Sequence, residues 1–217
     1  MKILALEFST SQRSAAILTD SGVRVMAMET GGRATHAFDL IGRALKEAQL
    51  EREQIECIAV GLGPGSYTGI RAAIAIAQGW QLARPVKLLG IATTECLAAQ
   101  AQNLGWFGAL NVIIDAQQNE FYLARFELTA SGCEIKAPLR LASLEEIAGL
   151  EKNGETLAGP EIHRRFAAGR VLYPDAATIA QLAFAHTDFI IGEKLEPVYV
   201  RIPNFVKAPP PRIIPGQ

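Results

Sequence analysis

The glycine-rich stretch at residues 61–69, GLGPGSYTG, combines hydroxyl side chains with backbone freedom. Gly65 and Gly69 permit positive φ angles and close backbone approach. Ser66 and Thr68 stand where a following helix would begin and could cap its first turn. The free N–H groups of a helix N-terminus attract anions, so the stretch could form an anion site. A tight turn required only by packing explains the same residues, and both interpretations stay open.

Three better-known loops do not fit this stretch. A Walker A loop requires Gly-Lys-Ser/Thr, and no lysine occurs between Gln54 and Val86. A dinucleotide-binding fingerprint requires a glycine where Ser66 or Thr68 stands. The nucleophile elbow of a serine hydrolase requires a glycine two residues before the serine, where this chain has Pro64.

Two carboxylates end strand-like runs in the two halves of the chain. Glu7 follows the apolar run ILAL, and Asp115 follows the run VII. If the halves are structural copies, these side chains face each other across a cleft and could hold a Mg²⁺ that bridges nucleotide phosphates. Asp115 could equally cap the turn that follows it.

The histidines and cysteines do not form a metal-binding pattern. His36, His163 and His186 are far apart, and none is paired with a second ligand at a zinc-site spacing. The three cysteines show no CxxC spacing, which favours reduced structural thiols in a cytoplasmic protein. We therefore expect no metal and no cofactor.

The elements that position these residues follow a regular order in the first half of the chain. Hydrophobic periodicity predicts strands at residues 2–8, 14–19, 23–28, 55–60 and 86–91, and helices at residues 36–50, 70–83 and 94–102. Three strands followed by alternating helices and strands are the plan of an RNase H-like lobe.

After residues 103–105 the same order begins again. Strands are predicted at residues 110–115, 120–127, 133–141 and 156–158, with helices that begin after Ser143, at Pro160 and after Asp175. The chain is thus predicted to be an α/β protein of two RNase H-like lobes, at residues 1–104 and 105–207. The second lobe is reduced, and a proline-rich tail follows at residues 208–217.

The helix that follows the glycine stretch is apolar on nearly every side. A helix that lies on one sheet leaves its back in water, so we expect a second surface to cover this helix. A partner chain would cover it, and so would a loop of the second lobe. The predicted partner surface on this helix and the preceding one consists of Phe38, Ile41, Leu45, Arg71, Ala73, Ile74, Ala77, Gln78, Trp80 and Gln81.

Composition limits the possible functions. The net charge of −1 over 217 residues leaves no basic surface for independent RNA binding. Hydrophobic residues make up 49% of the chain and charged residues 20%, which is typical of a folded domain. No signal-peptide pattern opens the chain, and no apolar run approaches the roughly 18 residues of a membrane span.

Several stretches in order along the chain resemble the TsaB (YeaZ) family. They are ILALEFST, GPGSYTGIR, KLLGIATTECLA, IIDAQQNEFYLARF, LYPDA and EPVYVR. The resemblance implies a fold of the actin, Hsp70 and sugar-kinase superfamily. It also implies a non-catalytic role in threonylcarbamoyl modification of the adenosine next to the anticodon of tRNA.

The resemblance implies partners as well. A TsaD-like catalytic subunit would bind the two-helix surface, a TsaE-like ATPase could join the complex, and tRNA would bind only through the complex. A homodimer through the same helices is expected when the chain is alone.

The sequence departs from the family where members typically have Asp and Thr and this chain has Glu7 and Phe8. An aromatic side chain there predicts crowding of any phosphate. Gly65, Ser66, Thr68 and Asp115 remain candidate ligand contacts. The alternatives are a small ATP-binding phosphotransferase or ATPase of the same superfamily, and a glycoprotease-like enzyme, for which no catalytic triad is visible.

Overall fold

The fold is described from a computed structural model for residues 1–31 and 36–200. The predicted tail at residues 208–217 lies outside the described residues. The first half contains the predicted elements in the predicted order: β1 Ile3–Glu7, β2 Gln12–Thr19, β3 Gly22–Thr30, α1 Ala37–Ala48, β4 Cys57–Gly61, α2 Tyr67–Ala83, β5 Lys87–Ile91 and α3 Thr93–Asn103.

These five strands form one mixed sheet in the order β3-β2-β1-β4-β5. β1, β2 and β3 pair antiparallel, whereas β4 and β5 run parallel to β1. Side chains of the central strand β1 alternate between two layers, with Leu4 and Leu6 in one core and Ile3 and Ala5 in the other. Every residue of β1 is therefore buried, as expected for a strand covered on both faces.

Helices α1 and α2 lie side by side on one face of this sheet, as predicted. α1 contacts β2 and β3, and α2 contacts β1, β4 and β5. Among residues 1–31 and 36–200, no helix combines the length and the apolar character needed to cross a bilayer.

The second half repeats the plan of the first. Its elements are β6 Gly108–Asp115, β7 Glu120–Thr129, β8 Gly132–Ser143, α4 Leu144–Lys152, β9 Leu157–Gly159, β10 Arg170–Val171 and α5 Ala176–Ala185. The sheet order β8-β7-β6-β9-β10 has the same sequence of antiparallel and parallel neighbours as the first sheet. This repetition confirms the predicted α/β fold class, with two RNase H-like lobes of which the second is reduced.

The second lobe is reduced most between β9 and β10. The prediction of a helix that begins at Pro160 is wrong. This segment contains one 3-10 turn, Ile162–Arg164, and Glu161 before it has a left-handed φ of 54° that is incompatible with a regular helix. Phe166, which follows this turn, is buried in the core of the second lobe. Its ring packs edge-on against that of Phe121, with 5.3 Å between the ring centroids.

The last helix of each half packs on the sheet of the other half, so these helices do not follow the predicted division at residue 104. Leu97 and Ala101 of α3 lie in the core of the second sheet, and Ile179 of α5 lies in a core of the first. The hydroxyl of Ser14 on β2 accepts a hydrogen bond from the N–H of Ala176 at 2.9 Å. This exchange ties the two lobes together.

Candidate functional site

The glycine-rich turn presses the N-terminus of α2 against the segment that follows β1. The Ser66 hydroxyl accepts a hydrogen bond from the Gly69 N–H at 3.4 Å, and the Ser66 N–H donates to the Ser9 carbonyl at 2.6 Å. A Cβ at Gly65 would lie 2.2 Å from the Ser9 carbonyl oxygen, and one at Gly69 would lie 2.0 Å from that of Phe8. Packing therefore requires both glycines, whether or not an anion binds.

The same turn forms one wall of a cleft between the lobes, with a volume of about 950 Å³. Gly65, Ser66 and Thr68 line the first-lobe side, and Asp115, the last residue of β6, lines the second-lobe side. The structure thus brings all four predicted ligand contacts together. The volume falls within the range of about 300–1,000 Å³ that is typical of small-molecule sites.

Asp115 has a structural role in the turn after β6. Its Oδ1 accepts a hydrogen bond from the Gln117 N–H at 2.7 Å. Gln117, Gln118 and Asn119 all have positive φ angles, and an aspartate commonly stabilises such a turn through its backbone. The capping role is therefore observed, and the exposed carboxylate still faces the cleft.

Glu7 does not face the cleft, so the predicted pair of carboxylates across it is wrong. Strand alternation puts Glu7 on the same face of the sheet as Ile3 and Ala5, where its side chain is fully buried. It lies against Gly61, at which a Cβ would be 1.9 Å from Glu7 Oε2. Oε1 accepts a hydrogen bond from the Ser9 N–H at 2.6 Å, whereas Oε2 has no hydrogen-bond partner within residues 1–31 and 36–200. Burial raises the pKa of this carboxyl to about 7.

Phe8 is also fully buried, so the predicted crowding of a phosphate by this ring is wrong. Its side chain lies in the core beneath α1 and α2. The cleft is lined instead by Ser9, Thr10 and Ser11. The sequence signal that could have identified them is the run of three hydroxyl residues directly after the first strand.

Arginines add positive charge to the cleft. Arg13, Arg164 and Arg165 line it, and Arg164 pairs with Glu161 at 2.7 Å. In the described part of the chain, the buried Nε of Arg13 has no hydrogen-bond partner. An unpaired buried donor is costly, and an anionic ligand could satisfy it.

The histidines lie at three separate places. His36 precedes α1, His163 belongs to the 3-10 turn, and His186 follows α5. Among the residues that the structure describes, no three His, Cys, Asp or Glu side chains form a group that could hold a metal ion.

α2 buries one face in its own lobe and leaves the opposite face in solvent. Leu82, near its C-terminal end, is 90% exposed. The same face is exposed at Arg71, Ala75 and Gly79. We call five exposed residues of this face the outer stripe: Thr68, Arg71, Ala75, Gly79 and Leu82.

Half of the predicted partner surface is wrong, because those side chains form the core of the chain itself. The sequence predicts that both sides of α2 need cover by other residues. In the structure, the sheet of the first lobe covers the side that carries Ile70 and Ile74. Of the remaining predicted residues, Phe38 is 72% exposed, Arg71 is exposed, and Trp80 is partly buried at the edge of the core. The core residues, none more than 5% exposed, are Ile41, Leu45, Ala73, Ile74 and Ala77.

A C-terminal strap, residues 189–200, covers one flank of α2. The Gln78 amide donates a hydrogen bond to the Gly192 carbonyl at 2.7 Å, and the Gln81 side-chain oxygen accepts one from the Gly192 N–H at 2.7 Å. Leu195 of the strap is buried in the first-lobe core. Gln78 and Gln81 were predicted to contact a partner, but their polar groups are already bonded within the chain.

Family and sequence comparisons connect the chain with tRNA modification. The model of the family "TsaD: tRNA N6-adenosine threonylcarbamoyltransferase" matches residues 34–198. A protein of Escherichia coli (strain K12), described as tRNA threonylcarbamoyladenosine biosynthesis protein TsaB, is 27% identical over 220 residues. The alignment covers 93% of this chain and 95% of the relative. A TsaB of Buchnera aphidicola subsp. Baizongia pistaciae is 26% identical, with 94% and 97% covered.

Solved structures show the same fold. A Pseudomonas aeruginosa protein, described as uncharacterized with similarity to peptidase YEAZ, superposes with a TM-score of 0.78 at 25% identity. The match covers 92% of this chain and 99% of that protein. YeaZ from Pseudomonas aeruginosa also superposes with a TM-score of 0.78, at 24% identity, over 91% and 99% of the two chains.

Proposed function

The chain belongs to the TsaD family, and within it to the TsaB (YeaZ) branch, and from this membership we propose that it is a non-catalytic subunit in tRNA threonylcarbamoyladenosine synthesis. It binds a TsaD-type enzyme through the outer stripe of α2 together with Phe38, and it stimulates that enzyme. The single observation that supports this proposal most is the 90% exposure of Leu82 on a helix whose other face is buried.

The outer stripe has the properties of a helix-packing surface. Ala75 and Gly79 are small, so the backbone of a partner helix can approach closely. Leu82 is 90% exposed, and burying such a side chain at an interface contributes about 1.5–3 kcal/mol. Two helices from each chain would form a four-helix interface, with Phe38 of α1 at its side.

The position of Glu7 supports the non-catalytic role. A pair of carboxylates on opposite sides of the cleft could hold a bridging cation between the lobes. The first-lobe strand end supplies none, because Glu7 is buried in the core. Asp115 remains, hydrogen-bonded to its own turn.

Further partners are proposed on the same premise. A homodimer would use the outer stripe when the TsaD-type enzyme is absent, and a TsaE-like ATPase would join the heterodimer. The net charge of −1 favours tRNA binding by the complex and not by this chain alone. We propose that the protein is located in the cytoplasm.

A reconstituted reaction tests the proposal. Threonylcarbamoyl transfer to tRNA is measured with the TsaD-type enzyme of the same genome and the other synthesis components, with and without this chain. Leu82→Arg should abolish stimulation, because burying an unpaired guanidinium at an interface costs about 3–5 kcal/mol. Leu104→Arg is the matched control, because Leu104 is also an exposed leucine but follows α3. Full stimulation by the Leu82→Arg variant would refute the docking surface.

A second candidate function is nucleotide binding in the cleft, as in a small phosphotransferase or ATPase. It is favoured by the unpaired Nε donor of Arg13 and by the position of Gly65, Ser66 and Thr68 at the helix N-terminus. Calorimetric titration with Mg-ATP tests it, and the Asp115→Asn variant should bind more weakly. The absence of any heat of binding to the wild type would remove this candidate.

A further inference from the structure

An exposed cluster of one arginine and two tyrosines lies at the N-terminal end of α2. The Arg71 guanidinium donates a hydrogen bond to the Tyr67 hydroxyl at 2.6 Å and lies 5.1 Å from the centre of the Tyr67 ring. The ring of Tyr199, from the C-terminal strap, packs 6.4 Å from that of Tyr67. The two tyrosines are 59% and 57% exposed, respectively.

Arg71 carries a positive charge that no carboxylate of the described chain neutralises. It takes part in none of the ion pairs formed within residues 1–31 and 36–200. α2 contains no acidic residue, so no carboxylate one turn away on the same helix can pair with it. A guanidinium has five N–H donors, and a phenol hydroxyl cannot supply a balancing charge.

The cluster is held in place before any partner arrives. The strap is fixed next to Tyr199, because the Val198 N–H donates a hydrogen bond to the Leu62 carbonyl at 2.9 Å. Tyr67 in turn restrains Arg71, both through its hydroxyl and through its ring. A side chain that is already ordered loses less conformational entropy on binding, which favours affinity.

We propose that Arg71, oriented by Tyr67 and flanked by Tyr199, is the anchor for an aspartate or glutamate of the partner subunit that docks on the outer stripe. This inference rests on the proposed function and adds the chemistry that the partner must carry. The planar fork of the guanidinium matches a carboxylate with two parallel hydrogen bonds. The rest of the stripe is small or apolar, so the pair would be shielded from water at the edge of the interface.

A second copy of this chain could offer Arg71 a carboxylate only from outside α2, because α2 contains no acidic residue. In a symmetric dimer the α2 helices face each other, so the carboxylate would have to come from α1, where Asp39 lies beside Phe38. A different subunit can place its carboxylate directly opposite Arg71, and we therefore assign the anchor to the heterodimer.

Affinity for the TsaD-type enzyme, measured by calorimetry at low salt, tests the anchor. Arg71→Gln should weaken binding by at least about 30-fold, as expected for an arginine hot spot. Arg71→Lys should recover only part of the affinity, because lysine lacks the planar fork. Arg24→Gln is the matched control, because Arg24 is exposed on the edge strand β3 and should be neutral.

Salt dependence gives a second measurement. Between about 0.05 M and about 0.5 M NaCl, the wild-type affinity should fall more steeply than that of Arg71→Gln, because salt screens the charge pair. The anchor is refuted, and the docking surface survives, if Leu82→Arg abolishes binding while Arg71→Gln stays within about twofold. It is also refuted if Arg71→Gln weakens only tRNA binding by the assembled complex. If the wild type does not bind the enzyme, both proposals fail.

Discussion

The Glu7 side chain is buried in the interior of the first lobe. Among the residues that the structure describes, its Oε1 has a hydrogen-bond donor and its Oε2 has none. Desolvation is the largest contribution to the raised pKa of Glu7, and the hydrogen bond from the Ser9 N–H opposes it. This carboxyl therefore titrates near neutral pH and not near 4.5.

The raised pKa predicts how stability changes with pH. A carboxyl that binds its proton more tightly in the folded state stabilises the fold at low pH, and this contribution is lost as pH rises from about 4.5 to about 7. The loss amounts to about 3 kcal/mol. Glu7→Gln keeps the shape and cannot titrate, so its unfolding free energy should lack this pH dependence.

Urea denaturation of wild type and Glu7→Gln at pH 4.5 and pH 8 measures the difference. The titration of all other groups cancels in the comparison of the two proteins. Equal changes with pH in both would show that Glu7 is not the buried titrating group.

At the scale of the element, α2 contains two glycines with opposite surroundings. Gly69 in the first turn touches the backbone of the segment after β1, and its missing Cβ is what allows that contact. Gly79 in the outer stripe has no atom within 4 Å of the place where a Cβ would lie. The same residue type is thus required by packing at one end of the helix and not at the other.

Replacement of each glycine by alanine should change stability in opposite directions. Gly69→Ala should destabilise the fold by about 1–3 kcal/mol, because the Cβ would lie 2.0 Å from the Phe8 carbonyl oxygen, which belongs to the backbone. Gly79→Ala should stabilise it by about 0.5–1 kcal/mol, because alanine is the better helix former. Thermal or urea unfolding of the two variants checks both signs. Stabilisation by Gly69→Ala would contradict the described packing.

The elements with a clear hydrophobic period could be predicted from the sequence. β1 and α2 are examples, and the N-caps at Ser66, Ser143 and Asp175 each form the expected side-chain hydrogen bond. The Pro160 helix could not be excluded, because a left-handed residue at Glu161 leaves no periodic signal. The burial of the Glu7 side chain could not be predicted, because a polar residue at a strand end is usually exposed. Only tertiary packing places this side chain in the core.

The sequence also could not predict that α3 packs on the second sheet and α5 on the first. α3 and α5 have apolar faces, but nothing in their residues specifies which sheet they cover. For α2, the sequence predicted that both sides would need cover but not which side the sheet takes. The candidate contacts in the cleft could be predicted because Ser66, Thr68 and Asp115 lie at the ends of predicted elements.

For the whole molecule, two surfaces of the first lobe compete as functional sites. The cleft and the outer stripe meet at the start of α2, where Tyr67 lines the cleft and orients Arg71 in the stripe. A partner bound on the stripe would therefore lie next to the mouth of the cleft. We assign partner binding to the stripe, and ligand binding in the cleft is an independent candidate function.

Photo-crosslinking tests the central claim most directly. A photoreactive phenylalanine analogue is placed at Ala75, in the middle of the outer stripe, and in a separate control at Ile135 on the exposed edge strand β8. Each variant is mixed with the TsaD-type enzyme of the same genome and irradiated. The account predicts a crosslink to the enzyme from residue 75 and none from residue 135. A crosslink from residue 135 alone, or no crosslink from residue 75 in a complex shown to form, would contradict it.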